Sequence, residues 1–287
     1  AQRTCGHTPT MSSAAAGAAL RQVLRGEARQ RRRRRVLAHV FPFSSHHYQL
    51  RHWLAASDID PDHDVSLVVI PPHLIVQSLR EGRIDGCCVG APWTAMARRS
   101  GLGVPLFGSQ GLWRNGPEKV LAVTAAWAAA HPETHLRLLV SVMQAARWLD
   151  EPANRREAAE MMVHGGYLDA PLEVVEEGLE YRTWQDPAGA GLHFHAGAAG
   201  FPWLSHAGWL LEQAQRWQQV GDDIDVAGVA AASYRPDLYR EAAAQLGISA
   251  PLDDRKPAPG RHQSWQTAGT LGVIDMDPDA SYDLRDG

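Results

Sequence analysis

Val36-Leu37-Ala38-His39-Val40-Phe41-Pro42-Phe43-Ser44-Ser45-His46-His47-Tyr48-Gln49-Leu50-Arg51 is the stretch on which the reading of this chain turns. Val36 to Phe41 is a short apolar run with the pattern of a buried strand. Tyr48 to Ala56 follows with helical composition, so the Ser-Ser-His-His-Tyr segment is predicted to join a strand to a helix. That is one step of an α/β domain.

The pattern continues outward. Asp64 to Ile70 is β-branched and apolar and is stopped by Pro71-Pro72. His73 to Glu81 reads as a helix burying Leu74, Ile75, Val76 and Leu79. Ile84 to Val89 is a further strand ending at Gly90, and Pro92 opens a helix to Arg99, since proline fits a first turn. Lys119 to Thr124 is predicted as another strand. Strands alternating with helices at this spacing imply a mostly parallel sheet covered on both faces. Beyond Ala125 the chain turns helical, over Pro132–Leu149, Asn154–Val163, Pro171–Leu179, Pro202–Val220 and Tyr234–Leu246, the last stopped by Gly247. Trp203, Trp209 and Trp217 are expected in the core.

With 287 residues, 45% hydrophobic and 21% charged, the composition is that of a soluble globular protein with room for two lobes. A formal net charge of -4 argues against a nucleic-acid binder by overall charge. No apolar run approaches the ~20 residues that span a bilayer. Cys5, Cys87 and Cys88 make a poor disulfide framework, and the adjacent pair reads as small buried residues in a strand. Residues 1–20 lack a basic region followed by an apolar one, so no export signal is expected there. Residues 1–35 read as a basic, poorly structured segment or the remnant of a first lobe, in which Ala14–Arg29 has helical spacing at Leu20 and Leu24. The block Arg31 to Arg35 is a solvated end, with nucleic-acid contact as the other reading. Residues 251–287, rich in Pro, Asp and Gly, are expected to be an extended tail.

Three loop residues carry chemistry. His46, Gly90 and Lys119 each lie beside an apolar strand-like run, and ligands of open α/β sheets collect at strand carboxyl ends. Helix starts there offer free N–H groups. An imidazole, a glycine-led helix start and a lysine suit a small, flat anion. The plainer alternatives are a capping His46, a common pre-helix Gly90 and a Lys119 paired with Glu118. Neither a nucleophile with its base nor a complete metal-ligand set accompanies them, so no enzyme, cofactor or resident metal is expected. His193-Phe194-His195 has the spacing of two metal ligands on a strand face and is the basis of a rival reading, a metal-dependent hydrolase. Asp58, Asp60 and Asp62 imitate a calcium loop, but His63 stands where glycine is needed and no glutamate closes it, so a turn is expected.

These stretches together resemble a family: the substrate-binding proteins of nitrate and bicarbonate ABC importers, with the soluble relatives that sense nitrate for an antiterminator. The resemblance rests on Phe41–Arg51 with Trp53, Ile59-Asp60-Pro61 and Gly82–Trp93. It continues through Pro117–Val120, Ala146–Asp150, Phe201-Pro202-Trp203 and Tyr234–Tyr239, and runs from about Val36 to Lys256. It implies a type II periplasmic-binding-protein-like α/β fold of two lobes closing on an anion. Residues 36–130 would be the second α/β lobe with the anion-binding loops, and residues 131–250 a helical segment packing back on the first. Family members begin with roughly a hundred further residues, about a small domain, so the first lobe is expected to be incomplete and the clamp weakened.

The resemblance also implies contacts from His46, Gly90 and Lys119 to nitrate or nitrite. Bicarbonate-binding members tend to carry an acid at the position of Lys119. Nitrate has acceptor oxygens and no donor, so it favours N–H groups and a cation and is repelled by a carboxylate. Implied partners are an ABC permease and ATPase at the inner membrane or periplasm for an importer receptor. For a cytoplasmic sensor the partner is an RNA-binding antiterminator, and no direct nucleic-acid binding is expected in either case. The chain departs from the family at Ala91, usually glutamate, and at His47, usually asparagine.

Overall fold

The computed structural model describes residues 11–30, 33–180, 192–257 and 263–279. Its helices and strands run α1 (Ser13–Arg29), β1 (Arg35–His39), α2 (Ser45–Ala56), β2 (Val65–Val69), α3 (Ile75–Arg80), β3 (Gly86–Cys87) and α4 (Trp93–Arg99). There follow α5 (Ala125–Ala130), α6 (Pro132–Asp150), α7 (Arg155–His164), α8 (Leu172–Glu180), α9 (Leu204–Arg216), α10 (Val226–Ser233), α11 (Pro236–Gln245), β4 (Trp265–Gly269) and β5 (Gly272–Met276). They form two compact units. A sheet unit runs to Arg114 and takes in Arg156–Leu192, while a helical unit comprises Asn115–Arg155 and His193–Ala280.

The sheet unit is α/β as the alternation predicted. Its sheet has the order β2-β1-β3, and both pairings are parallel. Side chains of a strand alternate between faces, and β1 uses both. Leu37 packs with Leu50, Trp53, Leu54, Ile59 and Val65, while Ala38 packs with Ile75, Ile84 and Val89. That two-sided burial explains why β1 reads as a continuous apolar run rather than an alternating one.

The helical spacing read over Ala14–Arg29 corresponds to α1, Ser13–Arg29, so this part of the basic start is ordered. Ala16, Leu20 and Leu24, spaced at one helical turn, join the cluster around Trp53. Trp53 Nε1 donates to the Ser13 carbonyl at 2.9 Å, and Ser13 Oγ donates to the Gly111 carbonyl at 2.7 Å. A glycine is required where α1 meets α2, because a Cβ at Gly17 would stand 2.0 Å from Ser57 Oγ. The arginine block also has structural partners. Arg33 and Arg35 both pair with Asp85, and Arg35 also pairs with Glu27, tying α1 to the approach of β3. Arg31 and Arg32 lie outside the described residues.

Further along, α8 closes on α4 through Glu177, which bridges Arg98 and Arg99. Burial raises the Glu177 carboxyl, but these two guanidinium groups more than offset it and hold it below its usual range.

The helical unit is centred on Met143 of α6, Phe201, Trp203, Tyr239 and Met276. The Phe201 ring meets Trp203 and Tyr239 edge-on, at 4.7 and 5.1 Å between centroids. Trp203 is in the core as expected, whereas Trp209 and Trp217 are half-buried.

Two expectations fail in this unit. The supposed extended tail contains a hairpin, β4 against β5, with Gly269 opposite Gly272 across Thr270-Leu271. Trp265 and Ile274 pack with Met276 on the core, which outweighs the local Pro and Gly content. Conversely, no strand forms over Lys119–Thr124 among the described residues, because no neighbouring strand is hydrogen-bonded to it. Val120 and Leu121 are correspondingly exposed.

Gly17→Ala is expected to lower stability by about 1–3 kcal/mol through overpacking, despite alanine's better helix propensity. Urea unfolding checks this. Adding Ser57→Gly should restore most of the loss, and no rescue would mean that α1 is not seated on α2 at this contact.

Candidate functional site

Parallel pairing places the carboxyl ends of β1, β2 and β3 on one edge of the sheet, with His39 beside Val69 in register. The loop after β1 leads directly into α2. Ser44 is the N-cap of α2 and its Oγ accepts from His47 N at 3.1 Å. The same hydroxyl donates to the Phe41 carbonyl at 2.8 Å. The bend is therefore closed by its own polar groups, and it fixes the first turn of the helix on which His46 and His47 sit.

The two histidines are equivalent in sequence but not in space. His47 is turned inward, where its Nδ1 lies 3.1 Å from His39 Nε2 and the rings meet edge-on at 4.5 Å. His39 Nδ1 in turn lies 3.2 Å from the Phe41 carbonyl. His46 faces the third loop instead. A Cβ built on Gly90 would stand 3.7 Å from His46 Nε2, in ordinary contact, so the bare Cα of Gly90 leaves the edge of this imidazole uncrowded.

Behind them, Gly178 of α8 approaches Ala91, where its own Cβ would come within 3.0 Å of the Ala91 Cβ. The small residue at position 91 is matched to that approach.

The structure thus brings His46 and Gly90 together in the sheet unit. Lys119 belongs to the helical unit, is 80% exposed along its side chain and pairs with Glu118. Sequence reasoning did not single out His39. The signal available was a histidine ending an otherwise apolar strand, where a buried polar ring needs a partner.

Burial sets the protonation of this cluster. It pushes the His47 imidazole down to about 4, with the neighbouring His39 and Arg51 adding to the effect. Burial likewise lowers His39, against the opposing pull of the Phe41 carbonyl. Arg51 is buried on α2 and pairs with Asp62.

The other candidates have structural uses. Asp60 accepts from the backbone of Asp62 and His63 and from the His63 ring, which makes the turn expected before β2. His193 Nε2 lies 3.1 Å from Asp277 Oδ2. Asp150 receives the amides of Phe194, His195 and Ala196 at 2.6, 3.0 and 2.6 Å, so its carboxylate holds that loop. Among the described residues, no group of three or more His, Cys, Asp or Glu side chains is placed to hold a metal ion.

A parallel sheet with loops leading into helices at its carboxyl edge and a second unit with its own core define the class: a type II periplasmic-binding-protein-like α/β protein. Residues 8–163 match the model of the NMT1-like family, and the chain belongs to that family, among the nitrate and bicarbonate substrate-binding proteins.

Among its relatives, the nitrate/nitrite binding protein NrtA of Synechococcus elongatus is 34% identical over 214 residues, 72% of this chain and 48% of that protein. The bicarbonate transport ATP-binding protein CmpC of the same species is 32% identical over 224 residues, 78% of this chain and 34% of that protein. The crystal structure of the periplasmic nitrate-binding protein NrtA from Synechocystis PCC 6803 superposes with a TM-score of 0.75 at 25% identity. The superposition covers 93% of this chain and 68% of that one. The chain spans about half the length of the first relative and about a third of the second. Nearly equal identity to nitrate-named and bicarbonate-named proteins means that overall similarity does not choose the ion.

His47 generates a testable pH dependence. The unfolded imidazole takes up its proton near 6.5, while the folded one resists until about 4. Stability is therefore expected to fall as pH drops through that window and to level off below it. Thermal unfolding of His47→Asn should show a shallower fall over the same window than the unchanged chain.

Proposed function

We propose that this chain binds nitrate or nitrite as the solute-binding component of an ABC importer, with His46, Gly90 and Lys119 as its anion-contacting residues. One observation carries the reading: the His46 imidazole and the bare Cα of Gly90 meet at the carboxyl edge of a parallel sheet. Here a small anion finds a ring N–H and room for close approach, beside the first turn of α2, which favours negative charge.

The names of the relatives supply the two candidate ions. Lys119 weighs towards nitrate, because an ammonium complements an ion that only accepts hydrogen bonds. Bicarbonate carries a hydroxyl donor and gains from an acceptor. The Lys119–Glu118 pair is exposed, and such pairs are worth about 0–1 kcal/mol.

Binding rather than turnover is the activity this chemistry supports. The partners are a membrane permease and its ATPase, in keeping with the transport ATP-binding proteins among the relatives. The proposed place of action is the periplasm, as for the solved NrtA. No helix among the described residues is long and apolar enough to cross a membrane.

Calorimetric titration tests this. Nitrate should bind the chain, and His46→Ala or Lys119→Glu should each weaken it by roughly 1.5–3 kcal/mol, the range of charge-assisted hydrogen bonds. Bicarbonate should bind less tightly than nitrate to the unchanged chain and gain on nitrate in Lys119→Glu. A folded chain that takes up no nitrate would overturn the reading.

A further inference from the structure

His39, His47 and the Phe41 carbonyl form a buried series whose direction is set by one atom. A carbonyl oxygen only accepts hydrogen bonds, so the His39 Nδ1 that lies 3.2 Å from it must carry the hydrogen. His39 Nε2 is then a bare acceptor, provided the ring is neutral. The His47 Nδ1 facing it at 3.1 Å must carry a hydrogen in its turn. The reverse direction would set a lone pair of His39 against the Phe41 oxygen.

We propose that His39 and His47 form a one-way relay, both rings neutral with the hydrogen on Nδ1, that positions His46 for the anion, an inference that rests on the anion-site reading above. His39 is the last residue of β1 and His47 lies in the first turn of α2. Their hydrogen bond therefore spans the bend and ties the helix start to the sheet from the inside. Ser44 ties it a second time from the outside, through the His47 amide. With its backbone held at residue 47 by both ties, the neighbouring His46 has its ring directed at Gly90 rather than inward.

Neutrality is consistent with the surroundings. His39 is 3% exposed and His47 is 8% exposed. Burial lowers both imidazoles, and the Arg51 cation lowers them further. A proton on His39 Nε2 would face the His47 N–H and break the series. These are positioning residues, since neither is assigned a contact with the ion.

The experiment uses the whole chain labelled with ¹⁵N, reading the imidazole nitrogens by long-range ¹H–¹⁵N correlation at neutral pH. Single substitutions identify the His39, His46 and His47 signals among the 14 histidines. His39 and His47 are expected as neutral Nδ1–H tautomers. His39→Leu, which removes the acceptor, should shift the His46 ring signals and weaken nitrate about tenfold in a protein that remains folded, the size of one lost hydrogen bond. His39→Gln, whose carbonyl oxygen can replace Nε2 as acceptor, should keep the His46 signals and most of the affinity.

An Nε2–H tautomer at either residue, or His46 signals unmoved in folded His39→Leu, would overturn the relay. Absence of nitrate binding in the unchanged chain would instead sink the anion reading. The tautomers and the His46 signals would still decide the relay.

Discussion

Hydrogen bonds from β1 run to parallel neighbours on both sides, and this sends the carboxyl ends of three strands to a single edge of the sheet. Parallel strands need crossovers, so both faces are covered and β1 has no solvent-facing side. Leu37 and Ala38, adjacent in sequence, consequently enter different apolar clusters. Polar groups in such a strand are tolerated only near its end, where loops bring partners. His39 occupies that end, and its two ring nitrogens are taken up by the Phe41 carbonyl and the His47 ring. The loop geometry at this edge is thus a consequence of satisfying a polar ring inside a closed sheet.

Small residues set the distances around that edge. Gly17 lets α1 lie close to Ser57, Gly90 leaves the edge of the His46 ring uncrowded, and Gly178 matches Ala91. Each marks a place where a side chain is excluded by a neighbour, or where space is kept for one. The charged residues nearby serve orientation and packing. Glu177 links two arginines of α4 to α8, and Asp85 collects Arg33, Arg35 and the amide of Val36. Both acids are taken up by these partners.

The alternation of apolar runs with helical segments was legible because it is local. A buried parallel strand writes its burial into consecutive residues, as Val36–Phe41 and Asp64–Ile70 do. Failures of the sequence reading have one cause in common, the identity of a distant partner. Lys119–Thr124 has the composition of a strand, and strand formation depends on an edge to pair with. Residues 251–287 have the composition of a tail, yet Trp265 and Ile274 find an apolar surface built by Met143, Phe201 and Tyr239. Residues 13–29 are rich in small side chains, and those make a helix able to come close to Trp53.

From its residues alone, this chain declares an α/β architecture, a kinship with nitrate and bicarbonate substrate-binding proteins, and a histidine-bearing loop at a strand end. Those features reside in periodicity, short motifs and composition, which neighbouring residues carry between them. Which of two adjacent histidines is spent on structure was decided only in three dimensions. His46 and His47 occupy successive positions of one helical turn, about 100° apart, so they point in different directions. Only the register of β1 against the start of α2 puts an acceptor nitrogen within reach of one and a bare glycine before the other.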